Sequence, residues 1–170
     1  MSGESKHIMI NPKATHQTRS RYERIAPLYD TMEILAERSY AEWRTRLWSA
    51  VKGPKVLEVG VGTGKNFPYY PPDVSVTVID LTPGMLRRAE RRAVELDVDV
   101  DLRLGDVQTL EFPDNSFDEV VTTFVFCSVP NPVLGFKEVA RVLKPGGKLL
   151  MLEHMRSEKP LLGALMDVAN

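Results

Sequence analysis

The chain has 170 residues, 43% of them apolar and 26% charged, which is long enough for one domain with a real core. Lysine and arginine number 22 against 23 acids, a formal net charge of -1, so nothing in the balance asks for a polyanion and nucleic acid is disfavoured as the main partner. Cys127 is the only cysteine, which excludes an internal disulfide framework; the polar Met1–Thr18 stretch and the absence of a ~20-residue apolar run argue against a leader or a spanning helix. The expectation is a soluble cytoplasmic protein, at most peripheral to a membrane.

Residues 1–20 read as a flexible segment ahead of one domain over 21–170, with a helical lid at 21–51 and a sheet core at 55–154. Apolar side chains recur at helical spacing over residues 22–36 and again over 37–51, among them Ile25, Leu28, Tyr29 and Met32, then Tyr40, Trp43, Leu47 and Val51. Residues 55–60 form a β-branched apolar run, a first strand that ends in Gly60, Gly62 and Gly64. Pro68, Pro71 and Pro72 leave room for only a short helical turn afterwards. Residues 75–80 read as the second strand. Thr82 is placed as a helix N-cap with Pro83 at the first helical position, Met85, Leu86, Ala89 and Ala93 inward, and Arg87, Arg88, Glu90, Arg91 and Arg92 on a solvated face. Strict alternation over residues 98–104 predicts a half-exposed edge strand, and the long apolar run 117–126 a central one. Asn131 and Pro132 open another helix, with Leu134, Val139, Ala140 and Leu143 inward and Lys144-Pro-Gly-Gly147 as its end. The fifth strand is expected over residues 148–154. Strands separated by helices imply right-handed crossovers and a doubly wound, mostly parallel, three-layer α/β sheet of Rossmann-like type with N-terminal helices.

In such a sheet the ligand sits beyond the carboxyl ends of the strands. The polar candidates gather there: Glu58 with the glycines, Asp80, Asp106, the segment Thr123–Ser128, then Glu153 and His154. The glycine spacing weakens two common nucleotide readings. A dinucleotide fingerprint would want a glycine at Lys65, and a Walker loop would want one at Val59 and a hydroxyl at Asn66. Asp80, sixteen positions after Gly64, suits a carboxylate accepting both ribose hydroxyls. Several acids would repel a pyrophosphate but favour a sulfonium and an ammonium, so the lining argues for a cationic cofactor.

The ordered segments Glu58-x-Gly-x-Gly-x-Gly64, Val78-Ile-Asp-Leu-Thr-Pro-Gly-Met-Leu86, Gly105-Asp106, Phe112-Pro-x-x-Ser-Phe-Asp118 and Leu143-Lys-Pro-Gly-Gly147 resemble class I S-adenosylmethionine-dependent methyltransferases of the quinone-biosynthesis type. The resemblance runs from Arg21 to about Glu153. Within that group, Arg21-Tyr-x-x-Ile-Ala-Pro-Leu-Tyr-Asp30 and Val59-Gly-Val-Gly-Thr-Gly64 are similar to bacterial phosphatidylethanolamine N-methyltransferases. Gly64-Lys-Asn-Phe-Pro-Tyr-Tyr-Pro71 and Phe126-Cys-Ser-Val129 also resemble small membrane-associated thiol methyltransferases.

The resemblance implies that Gly60, Gly62 and Gly64 let the backbone approach the methionyl part of S-adenosylmethionine, while Glu58 orients its ammonium, directly or through water. Asp80 would hold the ribose, Leu81 and Met85 would pack on adenine, and Asp106 with the Val107 amide would read its edge. Thr123 or the adjoining backbone would complete the methionine end. A sulfonium methyl is already activated, so the protein's task is alignment and exclusion of water. Tyr22 and Tyr29 share one helical face and either close over the sulfonium or serve as core aromatics. An amine acceptor must lose a proton, for which Tyr29, Asp30, Glu153 and His154 are candidates.

The expected acceptor is the amine of phosphatidylethanolamine or a related phospholipid; a quinone-precursor carbon and a small thiol are alternatives. A non-catalytic S-adenosylmethionine-binding module and, at the level of fold, a nicotinamide dehydrogenase are rivals from other classes. Cys127 reads as a buried thiol, and His7, His16 and His154 lack metal-ligand spacing. Trp43, Trp48, Arg44 and Arg46 either pack on the sheet or form a face that rests on lipid. The family fold has seven strands, whereas residues 155–170 can supply one helix and not the last two strands. The fifth strand is therefore expected to offer a bare edge at Leu149–Leu152, and either the polypeptide is a piece of a longer one or a partner completes it, through dimerisation or exchange of elements.

Overall fold

Asn11 accepts a hydrogen bond from the Ala14 amide at 3.2 Å and Pro12 takes the first helical position, so helix α1 (Pro12–Ile25) begins well ahead of the expected Tyr22. The computed structural model describes residues 9–153, with residues 32–38 described in backbone only. Pro27 then tightens the chain into a 3-10 turn (Ala26–Leu28), and helix α2 (Tyr29–Ser49) follows as one continuous element rather than breaking near residue 36. Leu28, expected inward, is 62% exposed, because the turn rotates it away from the sheet. Met32 has no described side chain.

Five strands form one sheet in the order β3-β2-β1-β4-β5, and every pairing is parallel. They are β1 (Lys55–Val59), β2 (Ser75–Asp80), β3 (Asp101–Leu104), β4 (Phe117–Thr123) and β5 (Leu143–Leu152). Helix α3 (Pro83–Leu96) connects β2 to β3, and α4 (Pro132–Val142) connects β4 to β5. The period-2 pattern is legible in the burial. Val56, Val76 and Val78 enter one core with Trp48, Phe67 and Ala89, while Leu57, Val59 and Ile79 enter another with Phe117, Val120 and Val139. Both faces are covered, which makes the three-layer doubly wound architecture.

Three boundaries depart from expectation for identifiable reasons. Asp97 turns left-handed (φ 54°) and the Val98 amide bonds the Ala93 carbonyl at 2.9 Å, so Val98 finishes α3 and β3 starts only at Asp101. Phe124 has φ 58°, which stops β4 at Thr123 short of the expected Phe126. Leu143 is already extended and pairs with Phe117, so Lys144–Gly147 lie inside β5 beside a register irregularity in β4. Ala140 of α4 is exposed rather than inward. The expected strand position of His154 and the helix at 155–170 lie outside the described residues.

The strand order reverses between β1 and β4. Chain segments leaving those two strands diverge to opposite sides, which opens a crevice over their carboxyl ends.

Candidate active site

At that crevice β1 turns through Gly60 (φ 71°), Gly62 (φ 57°) and Gly64 (φ 80°). The Gly60 and Val61 amides both donate to the Ile79 carbonyl, at 2.8 and 3.0 Å, which folds the turn against β2. Two of the glycines serve protein packing. A Cβ on Gly60 would stand 2.4 Å from Val125 Cγ2, and one on Gly64 would meet the Phe67 ring at the same distance. A Cβ on Gly62 would find no protein atom within 4 Å, so the bare peptide there faces open space.

A cavity occupies that space. Tyr22, Tyr29, Gly60, Gly62, Asp80, Leu81, Met85, Asp106, Val107 and Thr123 all line it, which gathers ten of the twelve expected residues. The other two, Glu58 and Gly64, stand behind the wall: Glu58 is fully buried and Gly64 packs on Phe67. Phe124, Val125 and Ser128 come from the expected Thr123–Ser128 segment, Val59, Ile79, Thr82, Gly105 and Val129 add to the wall, and Thr18 and Pro130 line it without having been anticipated. Thr18 had a readable signal, one turn before Tyr22 on the same helix; Pro130 depends on how the 124–130 segment folds back.

Asp80 is held differently from a freely offered ribose ligand. Its Oδ2 accepts from the Gly62 amide at 2.9 Å and its Oδ1 from the Thr82 amide at 2.8 Å. Burial pushes this carboxyl up from the usual carboxylate range, and the two amides oppose that push. The acid therefore ties the glycine turn to the start of α3. Asp106 Oδ1 accepts from the Gln108 amide at 2.9 Å. Glu58 Oε1 accepts from Asn66 Nδ2 at 2.6 Å, and its Oε2 accepts from the Tyr70 hydroxyl. Desolvation pushes its carboxyl up to about 7.

The lid is fastened on three sides. Glu23 of α1 accepts from the Gly84 amide at 2.8 Å and from Arg87 at 2.9 Å, so this carboxylate caps α3 in place of the Thr82 side chain, which makes no cap bond. The Tyr22 hydroxyl bonds Ser128 Oγ at 2.6 Å, and Gln108 Nε2 donates to Thr15 Oγ1 at 3.1 Å. Burial pushes the Tyr22 phenol up. Asp30 of α2 accepts from Thr63 Oγ1 at 2.6 Å and from Arg92 at 3.1 Å, which pins the lid to the glycine turn.

Those bonds sort the expected proton acceptors. Tyr29 lines the cavity; Asp30 is held by Thr63 and Arg92. Glu153 Oε1 accepts from the Val125 and Phe126 amides at 2.9 and 3.0 Å, supporting the turn after β4. His154 lies outside the described residues. Cys127 is exposed, not buried as expected, because the turn at Phe124 carries it out of the strand. Arg44 and Trp48 are buried against the sheet, which removes them from any lipid-facing surface, whereas Trp43 is 53% exposed beneath the Arg46 guanidinium. Among the described residues no three His, Cys, Asp or Glu side chains come together to hold a metal, and no helix is long and apolar enough to cross a membrane.

A Rossmann-like sheet, a bare glycine turn at the β1 terminus, and acids at successive strand ends beside an apolar slot define the class of S-adenosylmethionine-dependent methyltransferase domains. The donor set fits the cofactor: Gly62 offers an unobstructed peptide, Asp80 and Asp106 supply negative charge, and Leu81, Met85 and Val107 supply apolar walls. The methyltransferase domain family matches residues 57–151, and the chain belongs to that family. S-adenosylmethionine is the methyl donor that family and fold imply.

Relatives extend the match. The chain is 40% identical to a phosphatidylethanolamine N-methyltransferase of Cereibacter sphaeroides over 72% of its length and 61% of the relative's. It is 36% identical to a demethylmenaquinone methyltransferase of Renibacterium salmoninarum, covering 83% of this chain and 60% of that one. A thiol S-methyltransferase of Rattus norvegicus is 37% identical over 73% of this chain and 56% of its own. The chain thus spans about three fifths of the length of these relatives. Among solved structures, the [4+2]-cyclase SpnF superposes with a TM-score of 0.72 at 23% identity, covering 85% of this chain and 61% of that one. That likeness concerns the fold alone.

Proposed function

We propose that this chain is the cofactor-binding core of a methyltransferase that acts on the amine of phosphatidylethanolamine or a related phospholipid. The observation that carries the reading is the cavity in which Asp80, Gly62 and Tyr22 meet, in a chain 40% identical to a phosphatidylethanolamine N-methyltransferase. Helix α1 adds support. It lines the cavity with Thr18 and Tyr22 and carries exposed Lys13, Arg19, Arg21 and Arg24 against one acid, Glu23, so the lid is positive where a phosphate headgroup would approach.

Bound S-adenosylmethionine supplies an activated methyl group on a cationic sulfur. The protein's residues do the rest. Gly62 would admit the methionyl chain, the Asp80 carboxylate would hold the ribose hydroxyls, and Leu81 and Met85 would pack on the adenine. Tyr22 and Tyr29, which line the cavity, would close the lid over the cofactor and exclude water. The acceptor nitrogen must arrive as a free amine, since its lone pair forms the new carbon–nitrogen bond while the carbon–sulfur electrons return to sulfur. Of the described candidates Tyr29 is the one that lines the cavity, and it would take or pass the proton. Carbon methylation of a quinone precursor and methylation of a thiol are second readings, each resting on a relative above 35% identity.

Release of S-adenosylhomocysteine in the presence of phosphatidylethanolamine vesicles tests the proposal. Phosphatidylcholine vesicles, a demethylated quinone and a small alkyl thiol serve as the competing acceptors. Turnover on either of the last two with none on the ethanolamine lipid overturns the lipid reading; tight binding without turnover on any acceptor marks a non-catalytic module.

A further inference from the structure

Behind the glycine turn lies a polar chain that no role above requires. Arg44 of α2 is 5% exposed, and its Nη1 donates to Asn66 Oδ1 at 2.6 Å. The Asn66 amide nitrogen then donates to two acceptors, Glu58 Oε1 at 2.6 Å and Thr123 Oγ1 at 3.0 Å. Asn66 is 3% exposed and Glu58 is fully buried, so the whole chain runs through the interior. Its one end is a cation on the lid helix, and its other end is the Thr123 hydroxyl in the cavity wall.

An isolated buried carboxylate is costly, and such a group normally takes up a proton unless a cation compensates it. The groups facing Glu58 are the Asn66 amide and Tyr70 hydroxyl, the Arg44 guanidinium from α2 and, less directly, the Asp80 carboxylate, which opposes its ionisation. Arg44 is the one cation among them. The guanidinium also sits over the Phe124 ring, 5.7 Å from its centroid, and Phe124 lines the cavity. Asn66 has its orientation dictated from both ends: Arg44 demands the oxygen, and Glu58 demands the nitrogen.

We infer that Arg44 and Asn66 are positioning residues of the donor site: Arg44, acting through the Asn66 relay, favours the ionised form of Glu58, and the same amide fixes the Thr123 hydroxyl in the cavity wall. The helix that carries the lid thereby sets the charge behind the cofactor. This rests on the reading of the crevice as the S-adenosylmethionine site, with the sulfonium and ammonium favoured by that charge.

Infrared absorption of the Glu58 carboxyl in the ligand-free protein, assigned by its loss in Glu58→Gln, reads the relay without any cofactor. In Arg44→Gln, which keeps an amide donor but removes the charge, the protonated band is expected to persist at least about one pH unit higher than in wild type. Arg44→Lys keeps a cation and is expected to titrate as wild type does. Calorimetric affinity for S-adenosylmethionine should fall about fivefold at neutral pH in Arg44→Gln and recover as pH rises, since one unit of upward displacement from about 7 cuts the ionised fraction from about one half to about one tenth if the ionised form binds. An unmoved band, or a loss of affinity equal at every pH, overturns the inference. If Arg44→Gln does not fold, Asn66→Asp gives the same test, because the new carboxylate takes Arg44 for itself and repels Glu58; an unmoved Glu58 band again overturns it. A displaced band in a protein whose wild type shows no affinity for S-adenosylmethionine sustains the relay and removes the cofactor reading.

Discussion

Gly60 and Gly62 stand two residues apart in the same turn, yet alanine should act on them through different physics. At Gly62 the backbone is left-handed (φ 57°) but the new methyl meets no protein atom within 4 Å. The cost is that of a left-handed alanine, about 1 kcal/mol. For a chain of this length, that lowers Tm by about 2–4 °C. The ligand, however, loses the space that the methyl takes. At Gly60 the backbone cost recurs and the methyl stands 2.4 Å from Val125 Cγ2 and 3.1 Å from Cγ1. Carbon pairs rest at about 3.5–4.0 Å, so Val125 must move by more than an ångström. Overpacking of that kind costs about 1–3 kcal/mol more, for a total near 2–4 kcal/mol and about 5–15 °C. Thermal unfolding and calorimetric titration with S-adenosylhomocysteine separate the two effects. Gly62→Ala is expected to unfold close to wild type while binding at least about tenfold more weakly. Wild-type affinity in Gly62→Ala, or equal stability of the two variants, would refute the assignment of Gly62 to the ligand and Gly60 to packing.

Asp80→Asn leaves one oxygen for two backbone amides, so either Gly62 or Thr82 loses its acceptor. Differential scanning fluorimetry should show a loss of about 1–3 kcal/mol together with weaker cofactor binding, and an unchanged Tm counts against the tie between the turn and α3. Tyr22→Phe removes the bond to Ser128 Oγ across the lid. At about 1 kcal/mol, S-adenosylhomocysteine should dissociate about fivefold faster in stopped flow with little change in fold, and an unaltered off-rate argues against a lid that Tyr22 fastens. Glu58 titrates at about 7 when folded against an ordinary carboxyl value near 4.5. The folded state then holds the proton longer, so stability falls as pH rises from about 4.5 to about 7 and is level above, by up to about 3 kcal/mol. Urea unfolding across that window should show the slope in wild type and lose it in Glu58→Gln; the same slope in both would place the titrating group elsewhere.

Legibility followed the range of the interaction. The glycine turn, Asp80 at the end of β2 and the Pro83 start of α3 were readable because each is set by φ preference and spacing within a few residues. The helix start at Pro12 is just as local, with Asn11 before it, but no apolar stripe signals it: α1 has no buried residue. Glu58 illustrates the opposite case. Its place at the end of the first strand was plain, but its neighbours Asn66, Tyr70 and Arg44 come from two further elements, and they turn a cavity acid into an interior one.

The amino-acid order alone determined the alternation of strands and helices, and with it the sheet and the side on which a ligand must lie, because hydrophobic period and backbone preference act over neighbouring residues. Tertiary structure decided which polar groups meet. Glu23 caps a helix 61 residues away, Asp30 reaches Arg92 across 62, and Tyr22 finds Ser128 across 106. Such bonds depend on the packing of whole elements to within an ångström, and no local preference encodes that distance.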